Sequence, residues 1–226
     1  MTAQDFLAGE PIPNGTIAIL KPRAFTLAAT ADWIAAQRER WPGQIHTVRP
    51  TGNQIARGRN MAVASMWGQW LLFVDNDCVP PPFALPQLLA HGPDSGIVGG
   101  YYHERPPSWA LSGTVLDEHG VPRKMTESDL VPKDKLRPVH TLGTGCLLIW
   151  RHVLEHVETP WFRCGQIVPD MLDEDVDFCL RAAAAGHVTY VDPTVRVGHY
   201  VEGIAWPGAD GRRYIEWPGS EPRIDA

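Results

Sequence analysis

The sequence predicts an α/β domain with a mostly parallel central sheet flanked by helices. Short apolar runs alternate with helix-length segments, and this order builds parallel sheets because each strand returns through a helix. One run, residues 70–74 (Trp-Leu-Leu-Phe-Val), is apolar at every position, as in a strand covered on both faces. Gly186 closes the clearest helical segment, where a chain leaving a helix favours glycine.

The elements follow in chain order. Residues 16–20 form a first apolar strand and lead into Lys21-Pro22-Arg23. Residues 24–40 are helix formers with apolar positions at Leu27, Ile34 and Ala35, stopped by Pro42-Gly43. Residues 44–48 read as a second strand. Thr51-Gly52-Asn53 then offers helix-start chemistry ahead of a face made by Ile55, Ala62, Val63 and Met66. Beyond the strand at 70–74 come a helix at 84–90 and a strand at 96–101. Residues 105–138, rich in proline, glycine and charge, break the pattern and are expected to form an irregular excursion inside one domain spanning 1–226. A loop of that length in a compact domain is usually functional or mobile. Regularity returns with a strand at 146–150, helices at 153–157 and 173–185, and short strands at 188–191 and 194–197. The tail, residues 200–226, carries two Trp-Pro-Gly triplets.

Composition narrows the functional classes. The 226 residues are 44% hydrophobic and 20% charged, an ordinary globular balance. The net charge of -6 offers no general attraction to nucleic acid or to an anionic membrane surface, although a local basic patch is compatible with it. Cys78, Cys146, Cys164 and Cys179 are widely spaced without a Cys-x-x-Cys pair, which suits free thiols in a reducing compartment. The N-terminus lacks a signal-peptide pattern, and the apolar runs fall well short of the ~20 residues that cross a bilayer. The expected location is the cytoplasm, with no integral membrane segment.

Three places hold residues that carry chemistry. Asp75 and Asp77 sit where the buried strand stops and a proline-rich turn begins, the end of an open α/β sheet at which ligands bind. Two carboxylates one residue apart can converge on a hard cation, and Asp-Asn-Asp is equally good turn chemistry. The second place is Asp173-Glu174-Asp175, with Asp177 beyond. Acidic residues at a helix start complement its dipole, and Asp177 is spaced to pair with Arg181. Alternatively, one of them is a general base kept ionised by the helix N-terminus. His199, the third, ends an apolar strand; as a ligand, its imidazole would favour Mn²⁺ over Ca²⁺.

The order of these groups resembles the GT-A glycosyltransferases of the family 2 type. The stretch Asp173-Glu174-Asp175-Val176-Asp177-Phe178-Cys179-Leu180-Arg181, then Gly186, Tyr190-Val191-Asp192-Pro193 and His199, is similar to that family's C-terminal half. Upstream, Ala56-Arg57-Gly58-Arg59-Asn60 and Trp70-Leu71-Leu72-Phe73-Val74-Asp75-Asn76-Asp77 look like its helix and Asp-x-Asp strand. Gly143-Thr144-Gly145 ahead of Cys146 resembles its glycine-led central strand, and the resemblance covers about residues 14–200. It implies a GT-A (Rossmann-like) fold and transfer of a sugar from a nucleotide-diphosphate donor, with a UDP-sugar favoured, to an acceptor hydroxyl with inversion. It implies Asp77 as direct ligand of Mn²⁺ or Mg²⁺, Asp75 on the nucleotide ribose or in the metal shell, and His199 as a further ligand. Asp175 would be the general base and Glu174 would orient the acceptor. Lys21, Arg57 and Arg59 are candidate donor contacts because cationic side chains suit phosphate, and Gly143 and Gly145 would let the backbone approach the sugar. The Lys21-Pro22-Arg23 loop departs from the family's usual first-strand loop. The acceptor, whether a glycan, a protein, a small molecule or a modified nucleic-acid base, carries no recognisable motif.

Two other classes share some of these features. A metal-dependent phosphoester hydrolase or nuclease also gathers Asp and His around a cation, but the early part of the chain lacks the ligands of a two-metal site. A non-catalytic carbohydrate-binding protein would use some of the nine tryptophans for stacking, yet such modules are generally all-β. No Gly-x-Gly-x-x-Gly or Gly-x-x-x-x-Gly-Lys-Ser/Thr fingerprint occurs.

Overall fold

The strand ending at Asp75 organises the molecule. The computed structural model describes residues 2–20, 26–50, 54–163, 173–201, 204–208, 210 and 213–216. Its first strands are β1 (Gly15–Leu20), β2 (Ile45–Val48) and β3 (Trp70–Asp75), followed by β4 (Cys78–Val79) and β5 (Ile97–Tyr101). Then come β6 (Gly113–Leu116), β7 (Pro122–Lys124), β8 (Arg137–Val139), β9 (Thr141–Leu142), β10 (Cys146–Trp150), β11 (Thr189–Arg196) and β12 (Gly198–Tyr200). Two strands, β13 (Ile204–Pro207) and β14 (Arg213–Glu216), lie in the tail. The helices are α1 (Ala3–Leu7), α2 (Ala28–Arg40), α3 (Ile55–Ala64), α4 (Ala84–Ala90), α5 (Arg151–His156) and α6 (Glu174–Ala184).

The main sheet has seven strands in the order β2-β1-β3-β10-β5-β11-β8. Five run in one direction, and β10 and β8 oppose them, so the sheet is mostly parallel as the alternating sequence predicts. Along β3, Trp70, Leu72 and Val74 join one apolar cluster while Leu71 and Phe73 join the other. Residues from α2 and α4 complete the first cluster, and residues from α3, α5 and α6 complete the second. With both faces covered, residues 70–74 are apolar throughout and wholly buried.

Three details depart from the expected elements. The strands expected at 188–191 and 194–197 are one strand, β11, whose pairing with β5 shifts register between Val191 and Arg196. Pro193 cannot donate to a ladder, and the irregularity accommodates it. Asp192 is bound there by Thr194 N–H at 2.8 Å, by Gln87 from α4 and by His91 just beyond its end. The segment 105–138 is not irregular throughout: β6 and β7 pair as a hairpin, β6 also pairs with β9, and β8 closes the edge of the main sheet. Strands of three or four residues are too short to show alternation in the sequence. The tail strands β13 and β14 extend a second sheet with β12 and β4. The helix-start residues 51–53, Cys164 and the second Trp-Pro-Gly triplet lie outside the described residues. Cys78, Cys146 and Cys179 are buried free thiols.

Candidate active site

The carboxyl end of β3 is pinned by its backbone. Asp75 N–H donates to the Gly145 carbonyl at 3.2 Å, Asn76 N–H to Leu20 at 2.8 Å, and Leu27 N–H to the Asn76 carbonyl at 2.9 Å. Thr30 Oγ1 donates to the Cys78 carbonyl at 2.7 Å, and Tyr200 N–H to the Asp77 carbonyl at 2.9 Å. A turn fixed from β1, α2, β10 and β12 holds its carboxylates on a rigid base, the arrangement a binding site requires.

Antiparallel pairing of β12 with β4 sets His199 opposite Cys78. His199 Nε2 consequently lies 3.9 Å from Asp77 Oδ2. Its Nδ1–H donates to the His103 carbonyl at 2.7 Å, so in the neutral ring the lone pair sits on Nε2, facing Asp77. Ligand atoms of Asp77, Cys78 and His199 all lie within 4.8 Å of one another, and all three residues are buried. Burial first, then the charges of Asp75 and Asp77, pushes the Cys78 thiol well above its ordinary range. Cys78 is therefore a neutral thiol beside a carboxylate and an imidazole. This donor set fits a divalent ion held by Asp77 and His199, and imidazole suits a transition ion better than a purely hard one.

Arg59, on α3, joins this turn to α6. It is buried; its Nε donates to Glu174 Oε1 at 2.9 Å, and its Nη1 lies 3.6 Å from Asp75 Oδ1. Burial raises Asp75 to about 6; Arg59 opposes the rise and the carboxylates of Asp77, Glu174 and Asp175 add to it. Asp175 is likewise raised to about 6, by burial first and then by Glu174, against Arg59. Its Oδ1 accepts from Val176 N–H at 2.8 Å at the start of α6. Asp173 stands at the N-cap without a side-chain capping bond, and Asp177 accepts from Arg181 Nε at 2.9 Å. The acidic run thus divides: Asp177 pairs along the helix, while Glu174 and Asp175 turn toward Arg59.

The structure thus brings together Asp75, Asp77, His199, Arg59, Glu174 and Asp175. Arg57, two positions from Arg59 on α3, is exposed and makes none of these contacts. Lys21 lies outside the described residues. At Gly143 an added Cβ would meet the Tyr102 hydroxyl at 2.4 Å, and at Gly145 it would meet the Tyr102 ring at 2.7 Å and Cys78 Sγ at 2.8 Å. Both glycines therefore let Tyr102 close against the start of β10, where the Tyr102 hydroxyl accepts from Gly145 N–H at 3.3 Å. The Tyr102 ring also packs edge-on to His199, with centroids 5.0 Å apart.

Sequence reasoning missed Tyr102, His103 and Arg105. Arg105 Nη2 donates to Asp77 Oδ2, placing a guanidinium from the 105–138 segment directly on the turn. No motif in the sequence marks these residues.

A doubly covered, mostly parallel sheet with an Asp-x-Asp turn at its carboxyl end is the fold of GT-A glycosyltransferases. Among solved structures, A197 from STIV superposes with a TM-score of 0.61 at 19% identity, covering 93% of this chain and 98% of that one. GalNAc-T7, solved with UDP, GalNAc and Mn²⁺, superposes at 0.54 with 12% identity over 95% of this chain and 46% of its own. Residues 28–209 match the family described as Glycosyltransferase like family 2, and the chain belongs to that family. No protein of curated function matches the sequence. Family membership selects glycosyl transfer over the phosphoester-hydrolase and non-catalytic alternatives. Among the described residues, no helix is long and apolar enough to cross a membrane.

Proposed function

We propose that the chain moves a sugar from a nucleotide-diphosphate donor, favouring a UDP-sugar, to an acceptor hydroxyl with inversion, using Mn²⁺ or Mg²⁺. The observation that carries this reading is the convergence of Asp77 and His199 on the pinned turn, with His199 Nε2 3.9 Å from Asp77 Oδ2 and the other ring nitrogen held by the His103 carbonyl. Asp77 and His199 would hold the ion, with Asp75 beside it on the ribose or in its outer shell. When bound, the ion neutralises diphosphate charge and improves the leaving group. Arg105, already on Asp77, supplies a second cationic group at the same place, and a guanidinium matches phosphate geometry. Asp175 accepts the proton of the attacking hydroxyl, while Glu174, tied to Arg59, fixes the wall of the acceptor side. The GalNAc-T7 likeness, in a protein solved with a nucleotide, a sugar and Mn²⁺, supports the donor and metal classes. Whether the enzyme is a hexosyl- or a pentosyltransferase follows from which sugar nucleotide it hydrolyses slowly without acceptor.

Paired variants test the roles. Asp77→Ala should abolish metal-dependent binding of the nucleotide, whereas Asp175→Asn should keep binding and lose transfer. Calorimetric titration and a turnover assay read the two separately. Full activity in Asp175→Asn would remove Asp175 as base, and intact metal-dependent binding in Asp77→Ala would remove Asp77 as ligand.

A further inference from the structure

At the opposite end of the sheet three histidines face one another. His152 and His156 stand four residues apart on α5, a spacing that puts both on one helix face, and His187 lies in the turn between α6 and β11. His156 Nδ1 and His187 Nε2 are 2.9 Å apart and share one proton. Their rings are stacked with centroids 5.1 Å apart, and the His152 ring lies 5.5 Å from His187 and 6.3 Å from His156.

The location separates this cluster from the transferase site. β10 runs antiparallel to β3 with Trp150 opposite Trp70, so α5 starts beside the amino end of β3. His187 precedes Thr189, which pairs with Ile97 at the amino end of β5. Asp75 is at the other end of β3, about 17 Å away at ~3.3 Å per residue.

We propose that His152, His156 and His187 form a binding site for a transition-metal ion of the zinc class, with water completing the shell. Two nitrogens bound to one tetrahedral zinc at ~2.0–2.1 Å stand about 3.3 Å apart, close to the His156–His187 separation. Binding replaces the hydrogen bond between those rings, and its proton moves to the outer nitrogen of its own ring, leaving both imidazoles neutral. His152 completes the set by a side-chain rotation on the helix surface. Two histidines at this helical spacing are a chelating pair, and imidazole is a preferred ligand of zinc, copper and nickel. A bound ion would clamp α5 to the loop that leads into β11.

The test uses the full chain carrying His199→Ala, which removes an imidazole ligand at the other candidate metal position. Calorimetric titration with Zn²⁺ at pH 7 should find one ion per chain. His156→Ala and His187→Ala, added singly, should each weaken it at least tenfold, and His152→Ala should weaken it as well. Co²⁺ in place of Zn²⁺ should give the visible absorption of a nitrogen-ligated ion, lost in the same variants. His156 is exposed and His152 and His187 are half-buried at the edge of the fold, so circular dichroism should be unchanged across the series. No ion bound by the His199→Ala chain, or equal affinity with and without His156 and His187, would overturn the site. Because the readouts are metal binding and spectra, failure here leaves the glycosyl-transfer reading untouched, and failure of that reading leaves this site standing.

Discussion

In the proposed mechanism Asp175 sets the chemistry at the scale of a single residue, because its proton affinity is raised into the range where a base works. With the carboxyl raised to about 6, it is mostly ionised at pH 7 and can accept a proton, yet it is basic enough to assist the attack. Below about pH 6 the base fills with its own proton, so transfer should fall about tenfold per pH unit on the acid side. A rate profile from pH 4.5 to 8 checks this, and a flat profile would exclude Asp175 as base. The same shift has a consequence for stability with a defined sign. Folded Asp75 and Asp175 keep their protons up to about 6, whereas unfolded carboxyls lose theirs near ~3.9. Between those values the folded state binds more protons, so the contribution of these two groups to stability declines as pH rises through that window. Asp75→Asn should flatten this part of the dependence in urea melts run at stepped pH.

Arg59 and Gly145 show how whole elements are held at the site. Arg59 is the cation between α3, the end of β3 and the start of α6, and it is buried with its carboxylate partners only 15% exposed. Its replacement by methionine leaves Asp75 and Glu174 without their counter-charge, a loss of about 3–5 kcal/mol for a buried pair broken on one side. The deficit should shrink below pH 6, where Asp75 is protonated, and the acid limb of the rate profile should move upward because Arg59 no longer favours ionised Asp175. Denaturant midpoints at pH 5 and 8, with the rate profile, distinguish this coupling from simple loss of packing. Gly145→Ala drives a methyl into the Tyr102 ring and Cys78, and overpacking of this kind costs about 1–3 kcal/mol. The two residues differ in how legible they are in sequence. The β3 run and its Asp-Asn-Asp end are plain because burial on both faces removes every polar residue until the strand stops. Arg59 was noticed as a phosphate-binding candidate, and its position between two carboxylates depends on α6, far along the chain. Arg105, Tyr102 and His103 act through contacts across β4, β10 and β12, and local pattern carries no trace of such pairing. Gly143 and Gly145 were visible as glycines, while the reason for them, a tyrosine ring, was not.

On the scale of the whole molecule, the site gathers negative charge and must still bind an anion. Asp75, Asp77, Glu174 and Asp175 meet two guanidiniums, Arg59 and Arg105, at one end of the sheet in a chain of net charge -6. A nucleoside diphosphate brought here alone faces repulsion from the four carboxylates. A divalent ion on Asp77 and His199 would offset the negative charge left over at this end of the sheet, so nucleotide and ion should bind together. A ligand that binds only the folded chain stabilises it by ~2.7 kcal/mol at a hundredfold excess over its dissociation constant. For a domain of this size that corresponds to a rise in Tm of about 5–10 °C. UDP with Mn²⁺ should produce the shift, and UDP alone or Mn²⁺ alone should give much less. GDP, dTDP and CDP in the same assay rank the base preference, which the Lys21-Pro22-Arg23 loop leaves open. A shift equal with and without metal would mean that the carboxylate turn does not hold an ion for the donor. No shift with any of the four nucleotides would mean that the donor is not a nucleoside diphosphate sugar.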